Sequence, residues 1–172
     1  MEREDFEALY LEQEKPLYNT VYRWVWREDE AMDIVQEAFV KLWSARERVL
    51  QDGAKPFVYR IALNLASNRL RAHKLWKMTG LEGLLSAFGG AEEQMVTDQR
   101  DNQVRKAVEA LPEKIRKVVV LARFSGMSYR EISQLLEIPE GTVGSRYNKG
   151  IRLLESKLSD WRIDDGYQRH SG

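Results

Sequence analysis

The sequence predicts an all-α protein made of two small helical domains joined by a flexible linker. Only four of the 172 residues are proline, and no segment sustains the apolar–polar alternation of a half-buried strand. Pro56 and Pro112 each stand just before or at the start of an apolar-periodic run, where proline suits the first turn of a helix. A chain of this length suits one domain or two small ones.

A glycine-rich segment separates the two predicted domains. Residues 79–94, TGLEGLLSAFGGAEEQ, contain four glycines and no long apolar stripe. We interpret the segment as a linker that holds at most one short helix around Leu81 to Phe88. The apolar residues of that helix would pack on the N-terminal domain or, alternatively, bind a protein partner. The predicted organisation is an N-terminal domain over 1–76, a linker over 77–98, a C-terminal domain over 99–162 and a tail over 163–172.

The composition argues against an enzyme. The chain has no cysteine, which excludes disulfides and thiolate metal sites, and its two histidines are far apart in sequence. We therefore expect no catalytic site, no metal and no cofactor. There is no apolar run near 18 residues and no signal-peptide pattern at the start, so we expect no membrane insertion and a cytoplasmic location.

Charge is distributed in blocks although the formal net charge is zero. Residues 1–37 hold 11 acidic and 4 basic residues, and residues 38–81 hold 9 basic and 2 acidic residues. Residues 82–113 are again acidic, and 114–162 are basic. Basic blocks suit a polyanion and acidic blocks suit a basic protein partner. Uneven charge on an ordinary helical protein is the alternative.

The first strongly periodic run, residues 31–44, predicts an amphipathic helix. Its apolar stripe consists of Ile34, Val35, Ala38, Phe39, Leu42 and Trp43. Asp33, Gln36, Glu37 and Lys41 remain on the outer face. The spacing alone leaves two possibilities open, a solvated surface or a surface that binds a partner.

The second run, residues 56–77, predicts a basic helix. Its apolar stripe consists of Phe57, Val58, Ile61, Ala62, Leu65 and Ala66. The opposite face carries a continuous line of polar and basic residues, Arg60, Asn64, Ser67, Arg71 and Lys74. Six basic residues and no acidic one lie between Gly53 and Leu81. This favours nucleic-acid binding over a solvated face. Tyr59 and Trp76 would either stack on exposed bases or flank the core.

Residues 127–154 predict a helix-turn-helix. The buried positions would be Ile132, Leu135 and Leu136 in the first helix and Val143, Tyr147, Ile151 and Leu154 in the second. The Ile138 side chain would pack between the two helices at the turn, and the small Ser133 would let the helices cross closely. The second helix exposes the polar residues Thr142, Ser145, Arg146, Asn148, Lys149 and Arg152, which suit a recognition helix in the major groove. An ordinary helical hairpin with a basic face is the alternative.

Together these motifs resemble bacterial RNA polymerase sigma factors of the extracytoplasmic-function type. DEAMDIVQEAFVKLW resembles the family's region 2.1–2.2, and KPFVYRIALNLASNRLR resembles region 2.3–2.4. The segment from ALPEKIRKVVV through the helix-turn-helix to LLESKL resembles region 4. The resemblance covers about residues 5–75 and 100–160, with a linker where the family has one.

The resemblance implies roles for the exposed residues. By motif position, Asp33, Gln36 and Glu37 would bind the largest subunits of core RNA polymerase. The loop Arg46 to Lys55 and the residues Lys55, Arg60, Asn64, Asn68, Arg71 and Lys74 would recognise the −10 promoter element and capture a flipped-out base from its melted strand. Thr142, Ser145, Arg146, Asn148, Lys149 and Arg152 would read the duplex −35 element. An anti-sigma protein that covers the polymerase-binding surfaces would be a further partner.

Four positions depart from the family pattern. Phe57 stands where tryptophan is usual, and Asn68 where aspartate is common. Glu137 replaces a turn glycine, so the turn must either avoid positive φ or bear strain. Gly144 replaces an arginine or lysine on the recognition helix, which removes a donor and weakens the helix. The −35 sequence that is read would then differ, or the helix would approach the DNA backbone more closely.

A function from another class also fits the helix-turn-helix. A stand-alone two-domain repressor or activator would bind duplex DNA tightly without polymerase, as a dimer on half-sites. Residues 31–77 would then serve dimerisation or sensing.

Overall fold

The computed structural model describes residues 1–79 and 99–168, and in these ranges every regular element is a helix. The helices are α1 Arg3–Val25, α2 Glu28–Ser44, α3 Gln51–Thr79, α4 Gln99–Glu109, α5 Glu113–Phe124, α6 Tyr129–Leu136 and α7 Glu140–Gln168. The chain divides into two compact units at Met95/Val96, with α1–α3 in the first and α4–α7 in the second. The all-α prediction is confirmed, and α7 extends past residue 162, where we placed the end of the C-terminal domain.

The first unit is a bundle of three helices that bury one face each. The fully buried side chains include Leu17, Val21 and Trp24 of α1, Ile34, Ala38 and Leu42 of α2, and Val58, Tyr59, Ala62 and Ala66 of α3. The predicted stripe of α2 is confirmed, with Trp43 half-buried at its end. This packing leaves the opposite faces of α2 and α3 on the surface.

The register of α3 corrects three expectations. The helix begins at Gln51, so Pro56 lies in its second turn and part of the expected loop Arg46 to Lys55 is helical. The buried face runs through Val58, Tyr59, Ala62, Leu63 and Ala66. Phe57, Ile61 and Leu65 are only half-buried, because the face that packs against α1 and α2 is rotated about the helix axis relative to the predicted stripe.

Two polar or aromatic side chains of α3 are therefore inside the bundle. The Tyr59 ring is fully buried, and its hydroxyl donates a hydrogen bond to Oε1 of the buried Gln13 at 3.3 Å. Tyr59 cannot stack on a base in this packing, so that option is wrong. Ser67 is 9% exposed and does not belong to the outer line. The Trp76 side chain lies outside the described part.

A tight turn fixes the angle between α1 and α2. Trp26 ends α1 with φ 58°, in the left-handed region, and its N–H donates to the Tyr22 carbonyl at 2.7 Å. A bulky residue rarely adopts this conformation. Trp26 is only 6% exposed, and burial of the large indole offsets the backbone cost.

The second unit is built around α5 and α7. Leu111, Ile115 and Val119 form a buried cluster, against which Tyr147, Ile151, Leu153 and Leu154 of α7 pack. Gly150 is buried at the crossing. A Cβ on Gly150 would clash with Val119 Cγ2 and lie 2.9 Å from Ile115 Cγ2. The glycine thus lets the two helix backbones approach closely.

Several expectations concern residues that the structure does not describe. Residues 80–98, which contain most of the predicted linker and its apolar group of Leu81, Leu84, Leu85 and Phe88, lie outside the described residues, as does the end of the tail, 169–172. Among the described helices, none combines the length and apolarity that a membrane span requires.

Candidate partner-binding and nucleic-acid surfaces

The outer face of α2 carries the predicted acidic residues, and α3 contributes a cation to them. Asp33 and Gln36 are exposed and Glu37 is half-buried. Arg69 of α3 lies between the two carboxylates, with Nη1 3.8 Å from Asp33 Oδ2 and Nη2 3.8 Å from Glu37 Oε2. Partly exposed ion pairs at this distance stabilise little. Their main effect is to hold both carboxylates on one surface, which we call the acidic face.

Sequence reasoning missed Arg69, although a signal for it was present. Arg69 follows Ala62 and Ala66 at spacings of four and three, which places it on the buried side of α3 towards α2. The same line continues to His73, whose Nε2 lies 2.7 Å from Glu30 Oε1. A basic residue in line with a buried stripe indicates a partner on the neighbouring helix.

An apolar groove lies beside the acidic face, between α1 and α2. Its volume is about 520 Å³, and its lining residues are Arg3, Phe6, Glu7, Tyr10, Gln36, Phe39, Val40 and Trp43. Val40 is 64% exposed. The Tyr10 hydroxyl donates to Glu14 Oε1 at 2.8 Å, and this hydrogen bond raises the pKa of Tyr10. An exposed apolar groove next to polar side chains is typical of a protein-binding surface.

The exposed side of α3 carries the predicted basic line. Arg60, Asn64 and Asn68 are exposed and follow one another at spacings of four, so they lie one above the other. Arg71 and Lys74 are exposed and continue the helix, whereas Lys55 is half-buried. Arg71 Nη1 donates to Asn68 Oδ1 at 3.1 Å. These residues form what we call the basic face.

The first helix of the helix-turn-helix is fixed by its two ends. At its start, Ser128 Oγ accepts from the Glu131 N–H at 3.2 Å, while Glu131 Oε2 accepts from the Ser128 N–H at 2.7 Å. This capping box stabilises the first turn of α6. At its end, Glu137 adopts φ 55° and ψ 46°. The turn therefore keeps the left-handed conformation at a non-glycine residue, and bears that strain.

The small Ser133 ties this turn together. Its carbonyl accepts from the Ile138 N–H at 3.1 Å, and its hydroxyl donates to the Ile138 carbonyl at 2.6 Å. Of the predicted buried positions, Ile132, Leu135 and Val143 are buried. The others are only half-buried, namely Leu136, Tyr147, Ile151 and Leu154, as is Ile138 in the turn. The predicted helix–turn–helix geometry is confirmed.

The predicted recognition residues share one side of α7. Ser145, Asn148, Lys149 and Arg152 are exposed, and Thr142 and Arg146 are half-buried. Ser145 Oγ donates to the Thr142 carbonyl at 3.1 Å. Side chains of these types can reach phosphates and base edges. Across the described residues there is no group of three or more acidic or histidine side chains that could hold a metal ion.

Comparison with known proteins gives two family matches. Residues 9–75 match the family model described as Sigma-70 region 2, and residues 101–154 match Sigma-70, region 4. The first match contains every predicted residue of the acidic face and of the basic face. The second contains the whole helix-turn-helix.

Two curated relatives are similar over most of the chain. The ECF RNA polymerase sigma factor SigW of Bacillus subtilis is 32% identical over 156 residues, which is 84% of this chain and 83% of the relative. The RNA polymerase sigma-H factor of Pseudomonas aeruginosa is 30% identical over 165 residues, 89% of this chain and 86% of the relative.

Two solved structures share the fold. CnrH, solved in complex with the cytosolic domain of CnrY, matches with a TM-score of 0.68 and 22% identity over 90% of this chain and 88% of its own. RpoE of Bartonella quintana, solved with the anti-sigma factor NepR, matches with a TM-score of 0.67 and 20% identity over 91% of this chain and 98% of its own.

Proposed function

The chain belongs to the extracytoplasmic-function (ECF) family of RNA polymerase sigma factors, and we propose how three of its surfaces divide the work of promoter-specific initiation. As a sigma factor, it binds core RNA polymerase and directs the enzyme to promoters. In this proposal it supplies recognition only. Bond formation in the RNA chain belongs to the polymerase, with which the protein acts in the cytoplasm.

The acidic face and the adjacent groove are the polymerase-binding surface. Asp33, Gln36 and Glu37 would meet basic and polar side chains of the largest subunits. The groove, which Gln36 also lines, would receive apolar side chains of the same partner. Apolar contacts at the centre and charged contacts at the edge are the usual division in protein interfaces.

The basic face is the −10 surface. Arg60, Arg71, Lys74 and the half-buried Lys55 would hold phosphates, while Asn64 and Asn68 would contact a base that leaves the stack. Opening the duplex costs a few kcal/mol for each unstacked base. Contacts that form only with the extruded base offset this cost and favour the open state.

The exposed side of α7 is the −35 surface. Thr142, Ser145, Arg146, Asn148, Lys149 and Arg152 would lie in or beside the major groove of duplex DNA. This surface contacts paired DNA, whereas the basic face contacts melted DNA. The two surfaces lie in different compact units, so each can be varied without disturbing the other.

One observation carries the division of labour in the first unit. Arg69 is bound on the acidic face by Asp33 and Glu37, while Arg60, Asn64 and Asn68 are exposed along a separate line of the same helix. One helix, α3, thus supports a protein-binding surface through α2 and presents a nucleic-acid surface of its own.

Run-off transcription with purified core polymerase tests the proposal. The template pool carries randomised −35 and −10 segments upstream of a fixed transcribed region. We expect addition of the full chain to yield transcripts from a restricted subset of templates, which core enzyme alone does not give. Absence of any new transcript would contradict the proposed function. Tight, dimeric duplex binding without polymerase would instead support the stand-alone regulator.

We also propose an anti-sigma protein as a second partner. CnrH and the Bartonella RpoE were each solved with a second protein bound, and the groove beside Gln36 offers an apolar site for one. Such a protein would occupy the acidic face and groove and exclude polymerase by competition.

A further inference from the structure

Tyr129, the first residue of α6, lies against the recognition helix α7. Its ring is tilted against that of Tyr147, with centroids 5.9 Å apart. A Cβ on Gly144 would lie 3.7 Å from Tyr129 Cε2 and 3.9 Å from Cδ2. The Tyr129 ring thus occupies the space next to the position at which the recognition helix has no side chain.

The tyrosine borders the predicted −35 surface. Gly144 lies one turn before the exposed Asn148 and directly before the exposed Ser145, at the edge between the buried and exposed sides of α7. Tyr129 itself is 37% exposed. Its hydroxyl makes no hydrogen bond within the described part of the chain. A hydrogen-bonding group is therefore available beside the residues that would face DNA.

The absence of a side chain at Gly144 leaves room for the Tyr129 ring beside α7. The two distances are ordinary van der Waals contacts, so alanine would fit at position 144. A longer side chain would have to pass across the ring or displace it. Glycine is also less favourable than alanine inside a helix, so the position is not explained by helix stability.

We propose that Tyr129 is a DNA-contacting residue whose hydroxyl donates a hydrogen bond to a phosphate at the edge of the −35 element. The inference rests on the proposed function of α7. Tyrosine hydroxyls are regular donors to DNA phosphates, and such contacts fix register and orientation without reading sequence. Tyr129 thereby replaces, from the first helix, the donor that a basic residue at position 144 would supply from the second.

The first test replaces Tyr129 by phenylalanine in the full chain, assembled with core polymerase on templates selected by the wild-type holoenzyme. We expect about a fivefold loss of promoter affinity, the usual effect of one hydrogen bond, equal across templates with different −35 bases. The salt dependence of binding should not change, because a neutral hydroxyl displaces no counterion. Tyr147→Phe, which removes a hydroxyl from the neighbouring ring, is the matched control and should leave affinity unchanged.

The second test asks whether Gly144 sets the position of the ring. In a Gly144→Leu background the side chain displaces the ring, so Tyr129→Phe should cause no further loss. An equal loss in both backgrounds would overturn the role of Gly144. Wild-type affinity for Tyr129→Phe, or a loss that depends on the −35 bases, would overturn the phosphate contact. If the wild-type chain starts no transcription, the proposed function and this inference are both overturned. If the wild-type chain starts transcription and Tyr129→Phe has no effect on promoter affinity, only the inference is overturned.

Discussion

At the scale of single residues, two glycines of the same helix have opposite physical roles. Gly150 is buried where α7 crosses α5, and any side chain there would meet Val119 and Ile115. Gly144 lies at the edge of the exposed face, where a methyl group would make an ordinary contact with Tyr129. Helix propensity favours alanine over glycine equally at both positions. Packing therefore decides whether replacement of each glycine by alanine raises or lowers the free energy of unfolding.

The same substitution at these glycines should change stability in opposite directions. We expect Gly150→Ala to lower the free energy of unfolding by about 1–3 kcal/mol, because overpacking forces α5 and α7 apart. Gly144→Ala should raise it by up to about 1 kcal/mol. Urea unfolding of the full chain, followed by circular dichroism, measures both. Changes of the same sign for the two variants would contradict this account of the crossing.

At the scale of helices, α3 determines how the first unit presents its surfaces. Its buried side faces α1 and α2 through Val58, Tyr59 and Ala62. Its exposed side carries the basic face, with Asn64 near the middle. Because duplex binding depends mainly on phosphate contacts, while opening depends on capture of a base, the amide and basic residues of α3 should affect different steps.

Asn64→Ala should weaken promoter opening more than promoter binding. Loss of the amide removes contacts to an extruded base, which should reduce permanganate reactivity of the −10 region about fivefold to tenfold. Gel shifts of the closed complex should change less than twofold, because the phosphate contacts remain. Asn102→Ala, at an exposed position of α4, serves as the control. Equal losses in both assays would argue against base capture by Asn64.

The helices themselves could be predicted from the sequence where one periodic pattern was unambiguous. In α2, the stripe from Ile34 to Leu42 leaves a single face that can be buried, and the prediction is confirmed. In α3, the aromatic Tyr59 and the aliphatic Leu63 extend the apolar surface around the helix. The buried face therefore depends on which of two overlapping stripes meets α1 and α2. Only packing decides this, and it places Tyr59 and Ser67 inside.

At the scale of the whole molecule, the charge blocks correspond to surfaces rather than to domains. The acidic first block contains Asp33 and Glu37, and the basic second block contains both the basic face and Arg69, which pairs with those acids. The block pattern alone could predict that a basic and an acidic partner exist. It could not predict the apolar groove, because that groove forms only when Phe6 and Tyr10 of α1 pack beside Phe39 and Trp43 of α2.

Reversal of charge on the acidic face tests the central claim most directly. In Asp33→Lys with Glu37→Lys, both pairs with Arg69 and the pair between Glu37 and Lys41 are lost, which should cost at most about 1 kcal/mol per pair and leave the fold intact. The control, Asp52→Lys with Glu155→Lys, changes the net charge equally at exposed positions of α3 and α7 that lie outside the acidic face and the groove. The measurement is co-purification with tagged core polymerase, with circular dichroism as a check of folding. The account predicts that the acidic-face variant folds but does not co-purify, while the control does both; normal co-purification of the folded acidic-face variant would contradict it.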